Sequence, residues 1–155
     1  MLFSWKDTYS CGIDSIDEQH KVIFQLINDI YDAIQNKKED SIIKKVFIDL
    51  LQYANYHFSL EFDLFQLYKY TDEQKHIDEH KFFIRKIESM MIHDYLTGKD
   101  NLKEALVFLV DWFTNHILKT DLEYCNYFRF KEVVEDVNTY ITLKKFKKGY
   151  NYNSD

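Results

Sequence analysis

His76 and His80 stand four residues apart in the segment His76-Ile77-Asp78-Glu79-His80. Residues i and i+4 lie one turn apart on one face of an α-helix, so two imidazoles at this spacing can grip one metal ion while the backbone stays regular. Alone the spacing is a weak signal, because such pairs also arise on solvated helices. The other histidines strengthen it. His20 and His57 each lie on an apolar stripe of helical period, and Glu61 follows His57 by one turn on the same face. A glutamate on an apolar stripe is expensive unless it is paired or ligates a metal. His116 ends the stripe Leu102, Ala105, Leu106, Leu109, Trp112, Phe113, and Asp121 follows five residues later. Five residues turn about 500° in a regular α-helix, which aims Asp121 about 140° away from His116. Asp121 joins the others only if the helix ends or widens at Lys119-Thr120.

The elements that must position these groups are helices. With 155 residues, three glycines and no proline, the chain lacks the turn residues of an all-β fold or the Gly-rich loops of a βαβ fold. Its length fits one domain with a core that needs no disulfide staples. Apolar residues make up 46% and aromatics 17%, which excludes disorder. Residues 1–14 lack helical spacing and are expected as an extended arm on the bundle. Ser15, with Glu18 as a capping-box partner, opens a first helix carrying His20, Ile23, Phe24, Ile27, Ile30, Tyr31 and Ile34 to about Lys38. Asp40 or Ser41 caps a second, with stripe Ile43, Val46, Phe47, Leu50, Ala54, His57, Glu61, Leu64 and Tyr68. A third carries His76, His80, Phe83, Ile84, Ile87, Met90 and Met91 and stops at Gly98; Asn101 caps the fourth. Tyr124, Tyr127, Phe128, Val133, Val134, Val137, Tyr140 and Ile141 predict a fifth, shorter helix ending near Gly149. Lys144, Lys145, Lys147 and Lys148 suit the negative end of its dipole, and 151–155 form a frayed tail.

Short loops make successive helices antiparallel, up-down-up-down. His20 lies near the start of the first helix, His57 and Glu61 late in the second, His76 and His80 at the start of the third, and His116 near the end of the fourth. All fall at one end of the bundle, on inward stripes. Of six histidines only His93 stands apart. Five imidazoles and a glutamate buried in one layer leave too many donors and acceptors to satisfy without a metal. They also exceed what one ion can hold, so two ions sharing bridging carboxylates fit the set. It contains no thiolate, which removes iron–sulfur clusters and Cys-type zinc sites. Imidazole with carboxylate suits iron, with zinc and manganese open. Mostly neutral ligands favour binding dioxygen over cleaving it.

The remaining composition narrows the function classes. A net charge of −6 discourages nucleic-acid binding. Cys11 and Cys125 are too few for a disulfide framework and are expected as reduced thiols of a cytoplasmic protein. No apolar run reaches the ~18 residues of a membrane span, and the first residues carry no signal-peptide core.

The order His20, His57-x-x-x-Glu61, His76-x-x-x-His80, His116-x-x-x-x-Asp121 resembles the hemerythrin family, in particular its bacterial single-domain members. Trp5, Gly12-Ile13 and Ile16-Asp17-Glu18-Gln19-His20 resemble the family's N-terminal arm, and Trp112-Phe113-Thr114-Asn115-His116-Ile117 through Asp121 its last ligand motif. The resemblance covers about residues 5–130 and fills all seven ligand positions. It implies an all-α, up-down-up-down four-helix bundle over 1–131, with 132–155 as a helical extension and tail. It implies two non-haem irons, one held by His76, His80 and His116, the other by His20 and His57 with an open position. Glu61, Asp121 and an oxo or hydroxo group would bridge them, Asp121 sitting where the last long helix breaks. The implied function is reversible dioxygen binding by a non-enzyme. A sensor module, or a di-iron oxidase, peroxidase or nitric-oxide-handling enzyme, are the alternatives on the same scaffold. Ile23, Phe83 and Phe113, one turn from the ligands, are expected to wall the dioxygen pocket. The chain departs from the family pattern at Phe62, where many relatives have an acidic residue, and at Cys11, where a small apolar residue is usual. The 132–150 extension offers a surface for a protein partner, and the state is expected to be a monomer or small homo-oligomer.

Overall fold

Apolar residues recurring at three and four fold the chain into six α-helices in the computed structural model, which describes residues 2–97 and 102–148, with side chains omitted for 94–97 and 145–148. They are α1 Asp14–Gln35, α2 Asp40–Tyr68, α3 Glu73–Thr97, α4 Leu102–Asn115, α5 Leu122–Phe130 and α6 Val134–Lys148. A π-helical turn, His116–Asp121, joins α4 to α5 without a break. α1 packs on α2 and α4, α2 on α3, and α3 on α4, which closes the expected four-helix ring; α6 lies against α1. Among the described residues no helix is long and apolar enough to cross a membrane. Gly98, Asn101 and 149–155 lie outside the described residues, as do the side chains of Lys145, Lys147 and Lys148.

The loops close almost without glycine. Lys37, Lys69 and Glu132 take positive φ of 49°, 55° and 59°, a conformation that strains a side chain by about 1–2 kcal/mol. Lys69 ends α2 in this left-handed state, and the Tyr70 N–H reaches back to the Phe65 carbonyl at 3.0 Å.

The N-terminal arm is extended apart from a short 3₁₀ turn at Asp7–Tyr9. Asn28 of α1 pins it: its buried side-chain oxygen accepts the N–H groups of Leu2 and Phe3, and its amide donates to the Phe3 carbonyl. Asp17 holds its other end through the Cys11 N–H at 2.9 Å. Gly12 turns the arm into α1 at φ +80°, a conformation that strains any side chain there. The capping box expected at Ser15 and Glu18 does not form. α1 starts at Asp14, Glu18 pairs with Lys21 instead, and the Ser15 N–H is capped from outside by Asn138 of α6 at 3.0 Å.

The expected fifth helix is also corrected. Tyr124, Tyr127 and Phe128 belong to α5, which continues the fourth bundle helix beyond the widened turn. The chain turns at Lys131–Glu132, and the added helix begins only at Val134. Its Val137 and Ile141 are buried in a core shared with Cys11, Ile13, Ile16, Leu60, Leu64, Phe65, Tyr124 and Phe128. Lys144 and Tyr140 reach Asp63 of α2 at 2.8 and 3.2 Å. The apolar face of α6 is therefore spent on the bundle itself. Cys11 and Cys125 are free, buried thiols within this core.

A second core fills the rest of the bundle, with Ile23, Ile27, Ile30, Phe47, Leu50, Phe83, Ile87, Leu109 and Phe113. Along α1, Ile16 belongs to one core and Ile23 to the other. Along α2 the same switch falls between Phe58 and Leu60. The buried polar residues that flank these switches form a layer between the two cores.

Candidate metal centre

That layer holds His20, His57, Glu61, His76, His80, His116 and Asp121, all buried. Each helix delivers its residues as the spacing predicts: i, i+4 pairs in α2 and α3 and single histidines in α1 and at the end of α4. Asp121 reaches the layer because the helix widens. In a π turn the backbone bond spans i→i+5, so the residue five along takes the place that the residue four along has in an α-helix. The widening covers His116–Asp121 and includes Lys119-Thr120; the helix does not break there, as the family resemblance implied, but runs on as α5.

The seven side chains form two ligand groups, His76, His80, His116 with Asp121, and His20, His57, Glu61 with Asp121. Within each group the donor atoms lie within 4.8 Å of one another. Ligands about 2.1 Å from one ion stand about 3 Å apart when adjacent and about 4.2 Å when opposite, so each group fits around a single cation. The carboxylates face both groups. Glu61 sets Oε1 3.4 Å from His57 Nε2, and Oε2 3.5 and 3.2 Å from the Nε2 atoms of His76 and His80. Asp121 sets Oδ2 3.2 Å from His20 Nε2, and Oδ1 3.4 and 3.1 Å from those of His76 and His116. All five imidazoles thus present Nε2 to the centre.

These groups converge on shared points rather than on each other. Both nitrogens of His20 and His76, Glu61 Oε2 and both Asp121 oxygens are buried without a hydrogen-bond partner. The Nε2 atoms of His80 and His116 face each other at 2.9 Å. Orphaned polar atoms at this density are costly in a protein interior, and cations at the centre would satisfy the Nε2 atoms and carboxylate oxygens among them. The electrostatics agree. Burial holds His80 below its usual pKa and His57 at about 4, which keeps these rings neutral and able to ligate. Burial alone would raise Glu61 and Asp121, but the surrounding imidazoles, His57 above all for Glu61 and His116 for Asp121, hold both well below the carboxylate range. Two fixed negative charges between two apolar cores require positive charge beside them.

A surrounding set of groups fixes these side chains, and the sequence pattern did not single them out. Gln19 Oε1 lies 2.7 Å from His57 Nδ1, and Glu79 Oε2 lies 2.9 Å from His116 Nδ1. Each contact makes Nδ1 the donor and leaves Nε2 with its lone pair toward the centre. The Thr120 hydroxyl donates to the same Glu79 oxygen at 2.9 Å, and the buried Tyr124 hydroxyl donates to Glu61 Oε1 at 2.6 Å. Burial opposes charge on His116, but Asp121 and Glu79 outweigh it and lift its pKa to about 10, so without a cation the ring carries the proton that a metal at Nε2 would displace; the His116 bond in turn holds Glu79 at about 2. Glu79 follows His76 by three residues and Tyr124 follows Asp121 by three, the only spacing signals that pointed to them.

Aromatic rings pack the apolar side. Phe58 stacks on His80 with centroids 3.7 Å apart, and Trp112 stacks on His116 at 4.2 Å. Ile23 and Phe113 are buried beside this layer, as is Ile117. Phe83 packs behind Phe58 at 5.9 Å and against Trp112 and Phe113 at 4.4 and 4.9 Å. Phe58, missing from the expected wall, stacks directly on a ligand histidine, as Trp112 does. His93 is exposed and distant in sequence from the layer, as expected.

The profile of the hemerythrin HHE cation binding domain matches residues 11–127. The bacteriohemerythrin of Clostridium acetobutylicum is 37% identical over 128 residues, which cover 79% of this chain and 98% of that protein. The bacteriohemerythrin of Pseudomonas aeruginosa is 34% identical over 134 residues, covering 85% of this chain and 86% of that protein. A solved crystal structure of a leucine-to-phenylalanine mutant superposes with a TM-score of 0.73 at 27% identity, over 81% of this chain and 95% of that one. The match to the domain profile ends before α6.

Proposed function

This chain belongs to the hemerythrin family, and on that premise we propose that it binds dioxygen reversibly at two non-haem irons as a carrier, store or scavenger rather than an enzyme. The observation that carries the reading is the pair of ligand groups sharing Asp121, with Glu61 facing both. His76, His80 and His116 would hold one iron; His20 and His57 would hold the other, with fewer protein ligands and so room for a small molecule. Glu61 and Asp121 would bridge. A bound iron pair supplies reversible two-electron exchange with dioxygen.

The residues do the rest. Five neutral imidazoles and two carboxylates leave the ligand set less anionic than a glutamate-rich one, which favours release over reduction. Gln19 and Glu79 hold His57 and His116 in the ligating tautomer. Ile23, Phe58, Phe113 and Ile117 line one side of the layer with side chains that carry no proton to give. On that side the wall excludes water and limits the proton delivery that would let reduced oxygen escape as peroxide. Metal analysis together with absorption spectra of aerobic and dithionite-reduced protein tests the reading. Two irons per chain with visible bands that bleach on reduction are expected; one metal per chain, or zinc from an iron-replete preparation, would contradict it.

A further inference from the structure

The two ligand groups differ in what stands behind them. Behind His57 is the neutral amide of Gln19, at 2.7 Å and buried. Behind His116 is the carboxylate of Glu79, at 2.9 Å. Glu79 is held in place by the Thr120 hydroxyl on the same oxygen, and its side chain, 34% exposed, lines an open pocket of about 400 Å³ with Asp111, Trp112, Lys119 and Thr120. The π turn contributes to this arrangement: His116 opens it and Thr120 lies within it, so the widened helix presents both a ligand and the hydroxyl that steadies the ligand's partner.

An imidazole whose Nδ1–H is accepted by a carboxylate takes on imidazolate character and donates more charge through Nε2; an amide acceptor orients the ring without that effect. Resting on the two-iron reading, we propose that Glu79 is a positioning residue that makes the two halves of the centre inequivalent. Its charge, passed through His116, stabilises the ferric state of the iron held by His76, His80 and His116 over its ferrous state. The half held by His20 and His57, backed by Gln19, lacks this bias. Glu79 touches neither iron nor dioxygen and acts only through His116.

Glu79→Gln separates charge from orientation, because the amide oxygen can still accept the Nδ1–H. The test is spectroelectrochemical titration of the iron-loaded full chain, with iron content measured on the same samples. The substitution should move the ferric-to-ferrous ratio about tenfold toward ferrous, a rise of about 59 mV for a one-electron step. Gln19→Glu, which places a carboxylate behind His57, should move the potential the opposite way. A merely structural role would lower iron content in both variants without opposite shifts. Should Glu79→Gln lose iron, Glu79→Asp carries the test: the shorter side chain keeps the charge but draws it back from His116 Nδ1, and should raise the potential by a smaller amount with two irons retained. Two irons in wild type and variants with an unchanged potential would overturn this inference alone. Fewer than two irons in the unaltered protein would overturn the two-iron reading with it.

Discussion

Glu61 and Asp121 each aim one oxygen at each group of imidazoles, whereas every histidine serves only one group. Removing a carboxylate should therefore damage both iron positions, and removing a histidine mainly one. Asp121→Ala is expected to leave well under one iron per chain; His80→Ala should retain part of the metal, its loss concentrated at the His76 and His116 position. Iron analysis after gel filtration checks both, and equal retention in the two variants would argue against a shared carboxylate. His20, His57, Glu61, His76, His80 and His116 were legible in the sequence for an energetic reason: polar groups on apolar stripes need a partner, and all six fell at one end of an antiparallel bundle. Gln19 and Glu79 were not, because Gln and Glu beside a helix face look like any solvated surface residue. Phe58 was missed for the opposite reason, since an aromatic adjacent to a ligand reads as ordinary core.

At the level of the element, the π turn is what makes Asp121 a ligand. Inserting one alanine between the exposed Leu118 and Lys119 should rotate Asp121 and all of α5 by about 100°. It would carry Asp121 out of the layer and Tyr124 away from Glu61, to which it donates at 2.6 Å. Iron content should collapse while far-UV circular dichroism stays helical; a variant that keeps two irons would show that the turn does not set the ligand. The irregularity itself was legible, because a spacing of five cannot reach His116 from a regular helix. Whether the helix ended or widened was not, since no Gly or Pro marks the place. The boundary of the added helix was lost in a similar way: Tyr127 and Val134, seven apart, keep the apolar stripe running across Lys131–Glu132, and a glutamate at φ 59° gives no warning of a turn.

Seen whole, the molecule is a bundle whose polar layer separates two apolar cores, with α6 closing one of them. Among the described side chains Val137 and Ile141 are the buried residues of α6, and taking two aliphatic side chains out of water contributes about 3–6 kcal/mol. Deleting 132–155 should lower the thermal midpoint by several degrees yet leave the iron spectrum unchanged, because among the described residues no candidate ligand lies beyond Asp121. A changed rate of dioxygen release in the truncated protein would instead assign α6 a signalling role. The overall architecture followed from the near absence of Gly and Pro and from four apolar stripes, whereas the docking of α6 depends on contacts such as Asn138 with Ser15 that no local pattern announces. The central claim, reversible binding at a two-iron centre, is tested most directly by mixing the diferrous protein with dioxygen in a stopped-flow cell and then removing the gas under argon. Return of the colourless reduced form without added reductant, over repeated cycles, is the predicted result. Irreversible oxidation on first contact with release of peroxide, or steady turnover of an added reductant, would contradict it.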